Sequence, residues 1–118
     1  MNKYDDQSLY SKGLEFFKKN KLDEALGLFI KIGNHNINSL NILSKIYIKQ
    51  NDIKNSKNFL HKILNLDKEN LFALISLGDV YKTEKNFKKA EEYYLYSISF
   101  NEKFAQGYFN LAILYEEK

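Results

Sequence analysis

The sequence predicts an all-α protein, an α-solenoid of about three and a half helix-turn-helix repeats with seven helices. Three observations predict it. The chain repeats itself in steps of 34 residues, from Ile37 to Leu71 to Ala105. A fixed period in this range marks supersecondary units that must stack, because none buries its apolar face alone. Apolar residues recur at helical spacing and period-2 alternation is absent over any useful length. The chain also contains no proline, so nothing forces a kink.

The repeats are clearest over Leu71–Lys103, LFALISLGDVYKTEKNFKKAEEYYLYSISFNEK, which reads as a helix, a tight turn and a second helix. In chain order, residues 1–5 carry no pattern and read as a flexible lead-in. From Asp6 to Lys19, Leu9, Gly13, Phe16 and Phe17 recur at helical spacing; Asn20-Lys21 breaks the pattern, and Leu22, Ala25, Leu26, Phe29 and Ile32 resume it. Gly33-Asn34-His35-Asn36 is a turn signal, with Gly33 suited to a C-cap and Asn36 to the next N-cap. Further helices are expected at about Ile37–Gln50, Ile53–Leu66, Leu71–Glu84, Phe87–Phe100 and Ala105–Glu117, with Asp52, Asn70 and Asn86 as caps.

Small residues recur where the two helices of a unit must cross: Gly13 with Ala25, Ser44 with Ser56, Gly78 with Ala90. Small side chains let helix backbones approach closely. Each unit has only a few large apolar side chains, worth roughly 1.5–3 kcal/mol apiece when buried. Ordering one residue's backbone costs about 1–2 kcal/mol, so a single hairpin cannot stand alone and neighbours must stack.

The pattern resembles the tetratricopeptide repeat. In the third unit the matching residues are Leu74, Leu77, Gly78, Tyr81, Ala90, Tyr94 and Ser97. The second offers Leu40, Leu43, Ser44, Tyr47, Ser56, Leu60 and Ile63; the first offers Leu9, Gly13, Phe16, Ala25, Phe29 and Ile32, with Lys12 where a leucine is usual. Tyr108, Leu111, Ala112 and Tyr115 match in the last half-unit, and Lys68 and Glu102 stand where the family carries a proline. The resemblance implies one repeat domain over 6–118, with units at about 6–36, 37–70, 71–104 and a half-unit at 105–118. It also implies a right-handed superhelix with first helices inside and second helices outside.

Composition bounds the chemistry. At 118 residues the chain is one domain's worth, and 44% hydrophobic with 28% charged residues is ordinary for a globular protein. No apolar run approaches the roughly 18 residues of a membrane span, and MNKYDDQSLYSKG has no apolar h-region of a secretory signal. The absence of cysteine excludes disulfides and thiolate metal sites and fits a reducing compartment, hence a cytoplasmic setting. The net charge is +3 and every basic residue is lysine. That is a weak footprint for nucleic acid, which clustered phosphate contacts hold. His35 and His61 are the only histidines, and no nucleophile-base-orienter set can be assembled from such a sequence. No catalytic site, cofactor or metal is expected. The adjacent pairs Glu91-Glu92 and Glu116-Glu117 point to different sides of their helices, and Lys54, Lys57, Lys62, Lys85, Lys88 and Lys89 read as a solvated outer face. In the tyrosine-rich EEYYLYSISF, Tyr94 reads as core, Tyr93 as half-buried and Tyr96 as surface.

In the family, the first-helix residues that turn away from the second helix line a concave groove. On that resemblance the groove carries Tyr10, Leu14 and Phe17, then Asn41, Ile42, Lys45, Ile48 and Lys49, then Phe72, Ile75, Asp79 and Lys82, and lastly Phe109, Asn110 and Ile113. Many are apolar beyond what the hairpin cores require, which suits a partner's side chains; the competing reading is that they touch one another between helices. The family members that bind chaperone tails use a clamp of Lys, Asn and Arg. The matching places here hold Tyr10, Leu14, Ile42, Phe72 and Ser76, or, one repeat onward, Asn41, Lys45, Ser76, Gln106 and Asn110. None of the first set can grip a carboxylate as a charged fork would, and the second set is a partial match at best, so a chaperone-tail adaptor is disfavoured. The expected function is a non-catalytic protein-interaction module that binds an apolar peptide or amphipathic helix. Two alternatives stand beside it. One is self-assembly through the last helix, whose Tyr108, Leu111 and Tyr115 face a missing neighbour. The other is a docking arm of a longer enzyme such as a transferase.

Overall fold

A computed structural model describes residues 5–33 and 36–117. The lead-in expected over 1–4, the turn residues Asn34 and His35, and Lys118 lie outside the described residues. Among the described residues there are seven helices and no strand: α1 (Asp6–Lys18), α2 (Leu22–Ile32), α3 (Ile37–Lys49), α4 (Ile53–Leu66), α5 (Leu71–Thr83), α6 (Phe87–Phe100) and α7 (Ala105–Glu117). The boundaries agree with the sequence expectation to within one residue. The chain divides into two compact units, Met1–Lys62 and Ile63–Lys118, with the break inside α4.

The starts of the helices are set by side-chain caps. The Asn36 side chain accepts from the backbone N–H groups of Asn38 and Ser39, Asn70 from Ala73, Asn86 from Lys89, and Asp52 from Asn55 at 3.2 Å. Each satisfies a donor that the helix itself cannot. Asp5, assigned to the lead-in from sequence, caps α1 by accepting from Ser8 N–H at 2.7 Å. At Lys21, the corresponding start of α2, no side chain caps the helix.

The three turns inside the hairpins share one backbone device. Asn20, Asn51 and Lys85 take the left-handed conformation, at φ 60°, 58° and 62°. In each turn the following residue donates its N–H back across the turn: Lys21 to the Phe16 carbonyl, Asp52 to Tyr47 and Asn86 to Tyr81, each at 2.9 Å. The left-handed residue donates to Phe17, Ile48 and Lys82 respectively. These paired bonds are the Schellman closure, which satisfies the last carbonyls of the first helix as the chain reverses. Asparagine visits this region readily, whereas lysine does so only against its Cβ.

In Met1–Lys62, α1 packs on α2 and α2 on α3. The core there is Ala25, Phe29, Ile32, Ile42, Leu43 and Ile46, with Leu9, Tyr10, Leu14, Phe16, Phe17, Leu22, Leu26 and Phe59 against it. Tyr47 of α3 stacks on Phe59 of α4 at 5.3 Å. In Ile63–Lys118, α5 packs on α6 and both meet α7; Ala73, Leu74, Leu77, Val80, Ala90, Tyr94, Leu111 and Leu114 are buried.

The crossing of each hairpin is tight. A Cβ added at Gly13 would lie 2.7 Å from the Phe29 ring, and one at Gly78 would meet the Tyr94 ring, 2.6 Å from Cδ1. Both lie well inside van der Waals contact, so the absence of a side chain is what admits the ring. Ala25, Ser56 and Ala90, the small partners expected on the second helices, are all fully buried.

Because Lys85 alone of the three left-handed residues has no short polar side chain, its turn carries removable strain. Lys85→Gly should raise stability by about 0.5–1 kcal/mol, the left-handed penalty less glycine's added freedom when unfolded. Urea denaturation followed by circular dichroism reads this directly, and a lowered midpoint would contradict it.

Candidate functional site

The first helices carry the residues that the sequence places in a groove, and the structure sorts them into two groups. In Met1–Lys62, Tyr10, Leu14 and Phe17 are half-buried against the core, Tyr10 edge-on to Phe29 at 5.5 Å. The Lys49 ammonium lies 5.5 Å above the Phe17 ring. Ile42 is a core residue, packed in the same cluster as Phe29 and Ile32 of α2. Its burial there accords with contact between helices, the competing reading of these positions. Asn41 is half-buried and its Oδ1 is out of water with no hydrogen-bond partner among the described residues, while Lys45 is exposed.

In Ile63–Lys118 the same sorting holds. Ile75 is buried within a continuous buried run, Ala73 to Gly78. Asn110 is buried too, engaged by its neighbours rather than open to a partner. Phe72, Lys82 and Ile113 are half-buried. Phe109 is 60% exposed, the largest exposure among the large apolar side chains described. On α7, Tyr108 and Tyr115 are exposed as expected, but Leu111 is buried. In α6, Tyr94 is core, Tyr93 half-buried and Tyr96 exposed, as the sequence suggests.

The feature that sequence reasoning missed is a polar set joining α5, α6 and α7. Tyr94, fully buried, donates its hydroxyl to Asp79 Oδ1. Asn110 Nδ2 donates to the same oxygen at 3.1 Å, and Gln106 Nε2 donates to Asn110 Oδ1 at 2.6 Å. Beside it, Lys82 Nζ lies 3.9 Å from Glu117 Oε1. Surrounding protein desolvates the Asp79 carboxylate and raises its pKa; the bonds from Tyr94 and Asn110 and the charge of Lys82 offset part of that rise. The residue nonetheless remains exposed as a whole. The Tyr94 hydroxyl is pushed up, by burial first and then by its bond to Asp79. The sequence did contain a signal: Asp79 is the single charge in the run LFALISLGDVY.

One concavity involves α5 and α6. It measures about 260 Å³ and is lined by Leu64, Lys68, Leu74, Tyr93, Tyr96 and Phe100. Among the described residues no group of three or more His, Cys, Asp or Glu side chains could hold a metal ion, and no helix is long and apolar enough to cross a membrane.

Comparison with known proteins places the chain. The tetratricopeptide repeat pattern matches residues 37–70 and 73–104. The chain belongs to the tetratricopeptide repeat family. No curated protein matches it. Among solved structures, it resembles a tetratricopeptide repeat protein from Parabacteroides merdae ATCC 43184, with a TM-score of 0.89 and 24% identity over 96% of this chain and 45% of that one. It also resembles the first tetratricopeptide domain of Spaghetti bound to the HSP90 peptide SRMEEVD, with a TM-score of 0.85, 16% identity, and coverage of 95% and 91%. MamA gives 0.86, 19%, 96% and 68%. At these identities the likeness is one of fold. The chain spans less than half the length of the Parabacteroides protein. As a tetratricopeptide repeat protein, the chain has the fold of a protein-interaction module.

The raised pKa of Asp79 has a consequence for stability. A carboxylate raised on folding favours the native state most below its unfolded value, and that contribution is lost as pH rises through the folded value. Asp79→Asn cannot ionise and keeps an oxygen for Tyr94 and Asn110. The variant should therefore be more stable than wild type at neutral pH. The advantage should shrink as pH falls and vanish below the ordinary value of 3.8. Thermal melts across a pH series check this; a neutral-pH loss of stability would contradict it.

Proposed function

We propose that the chain is a non-catalytic interaction module, acting in the cytoplasm, that captures an apolar peptide or amphipathic helix of a protein partner on its first-helix face. The single observation behind this reading is Phe109 of α7, itself the first helix of the last half-unit, whose ring stands 60% exposed. Half-buried Phe72 and Ile113 add apolar surface on first helices of the same unit. A large exposed ring confers no packing stability, but it is suited to a partner's apolar anchor. With Ile42 and Ile75 buried, the anchors on offer are fewer than the sequence suggests. At roughly 1.5–3 kcal/mol each, set against an association cost of about 4–15 kcal/mol, they support affinities no tighter than about micromolar.

An acidic chaperone tail such as the one bound by Spaghetti is a poor fit. The first-helix face of residues 63–118 carries the Asp79 carboxylate, and Lys82, its nearby cation, is paired with Glu117. Like charge on both sides would cost affinity rather than add it.

Self-assembly is the second reading. It is favoured by Tyr108 and Tyr115, each 51% exposed along α7. Light scattering over a concentration series separates the two readings, since a chain that stays monomeric throughout excludes the second.

The test of the first reading is selection from a displayed library of random short peptides, followed by titration of the enriched sequences. Selected peptides should carry spaced apolar anchors, and Phe109→Ala should weaken them about tenfold or more, the equivalent of one lost anchor. Because the ring is mostly in water, helicity should be unchanged. Peptides that bind the variant as tightly as wild type would contradict the proposed face.

A further inference from the structure

The concavity of α5 and α6 serves neither the hairpin crossing nor the first-helix face. Its six lining residues all belong to Ile63–Lys118. Leu74, only 3% exposed, is its deepest member, while Tyr96 and Phe100 stand 50% and 45% exposed around it. Apolar side chains left open around one concavity suit a guest better than they suit water. The aromatic part is also built in advance. Tyr93 stacks on Tyr81 of α5 at 5.6 Å, and Tyr96 meets Tyr93 edge-on at 6.0 Å. Rings that already hold one another have less freedom to lose when a guest arrives.

Size and charge define that guest. The concavity measures about 260 Å³. A cavity of about 150 Å³ takes a benzene ring, and sites for drug-sized ligands begin at about 300 Å³. There is room for one aromatic side chain and little more. The only charge in the lining is the ammonium of Lys68, on the turn between α4 and α5. Among the described residues Lys68 makes no ion pair. Asp67, Glu69 and Glu92 adjoin lining residues in sequence without joining them, and the Asp67 side chain accepts from the Glu69 N–H at 3.2 Å. The cleft is therefore apolar with one positive charge.

We propose that this cleft is a second protein-binding site: it takes one aromatic side chain of a partner segment against Tyr93, Tyr96 and Phe100, while an acidic residue beside that side chain meets Lys68. The site shares no residue with the first-helix face and does not rest on the capture reading given for Phe109. The aromatic guest supplies most of the affinity, because edge-to-face and offset ring contacts add to the burial of apolar area. The exposed ion pair adds little affinity, but it sets the sign of charge that the cleft accepts.

The chain contains no tryptophan, so the indole of an added peptide reports its own surroundings. Two matched short peptides are titrated against the full chain to about millimolar, each with a single Trp, flanked by Glu in one and by Lys in the other. The Glu peptide should bind with blue-shifted emission, and the Lys peptide about threefold or more weakly. Lys68→Glu, a change on an exposed turn, should reverse that order. Tyr96→Ala should abolish the shift with the Glu peptide, and Phe109→Ala should leave it unchanged; melting temperatures of all variants are measured alongside. A shift that survives Tyr96→Ala, or is lost with Phe109→Ala, puts the indole elsewhere and overturns the site. An order that Lys68→Glu does not alter overturns the acidic partner. Light scattering that shows a dimer dissociated by Tyr96→Ala would make a second copy the occupant and overturn the proposal as well. No shift with either peptide overturns it outright, whatever Phe109→Ala does to peptides selected on the first-helix face.

Discussion

The structure depends on how closely the two helices of a repeat can cross. At Gly13 and Gly78 the first helix carries no side chain, and an aromatic ring from the second helix occupies the space: Phe29 in one case, Tyr94 in the other. Both rings are fully buried, as are Ala25 and Ala90 on the same second helices. The second repeat solves the problem with smaller pieces, since Ser44 and Leu60 hold the corresponding positions and both are fully buried. A ring needs glycine opposite it, whereas a branched aliphatic tolerates serine. The left-handed turn residues then fix where the second helix starts, so the ring arrives at the right height.

That packing choice carries through to the surface. Tyr94 fills the Gly78 crossing with its ring, and its hydroxyl emerges where Asp79, the next residue of α5, can accept it. A phenylalanine there would pack as well and hold nothing. Through Asn110 the same carboxylate also ties α5 to α7. One side chain thus links the interior of the hairpin to the orientation of a charge on the first-helix face. The ring is fixed by sterics and the hydroxyl by its hydrogen bond to Asp79, and both constraints act on the same side chain.

Helices, caps and crossing residues were legible in the sequence because each is a local rule. Asn36, Asp52, Asn70 and Asn86 announce helix starts by residue type alone. Asp5 was missed because nothing periodic precedes it. The groove was legible only in part. Helical spacing identifies which residues turn away from the partner helix of the hairpin, but not which of them meet a helix of the next repeat. Ile42 faces inward for that reason, joined to Phe29 and Ile32 of α2 in one cluster. Asn110 is buried because Asp79 and Gln106 claim its amide, a pairing across 31 positions that no short-range pattern reveals. Lys85 in a left-handed turn was hidden as well, because the turn's geometry, not the residue's preference, decides it.

The most direct measurement is a double-mutant cycle at the crossing, with Gly78→Ala made in the wild-type background and again with Tyr94→Leu. With the tyrosine ring present, the added methyl should destabilise by about 1–3 kcal/mol, the usual range for overpacking. With leucine, as Ser44 and Leu60 already show in the second repeat, the penalty should disappear and alanine's better helix propensity, about 0.8–1 kcal/mol over glycine, should emerge. The same loss in both backgrounds would mean that the ring is not what requires the glycine, and the account of the fold would fail at its base.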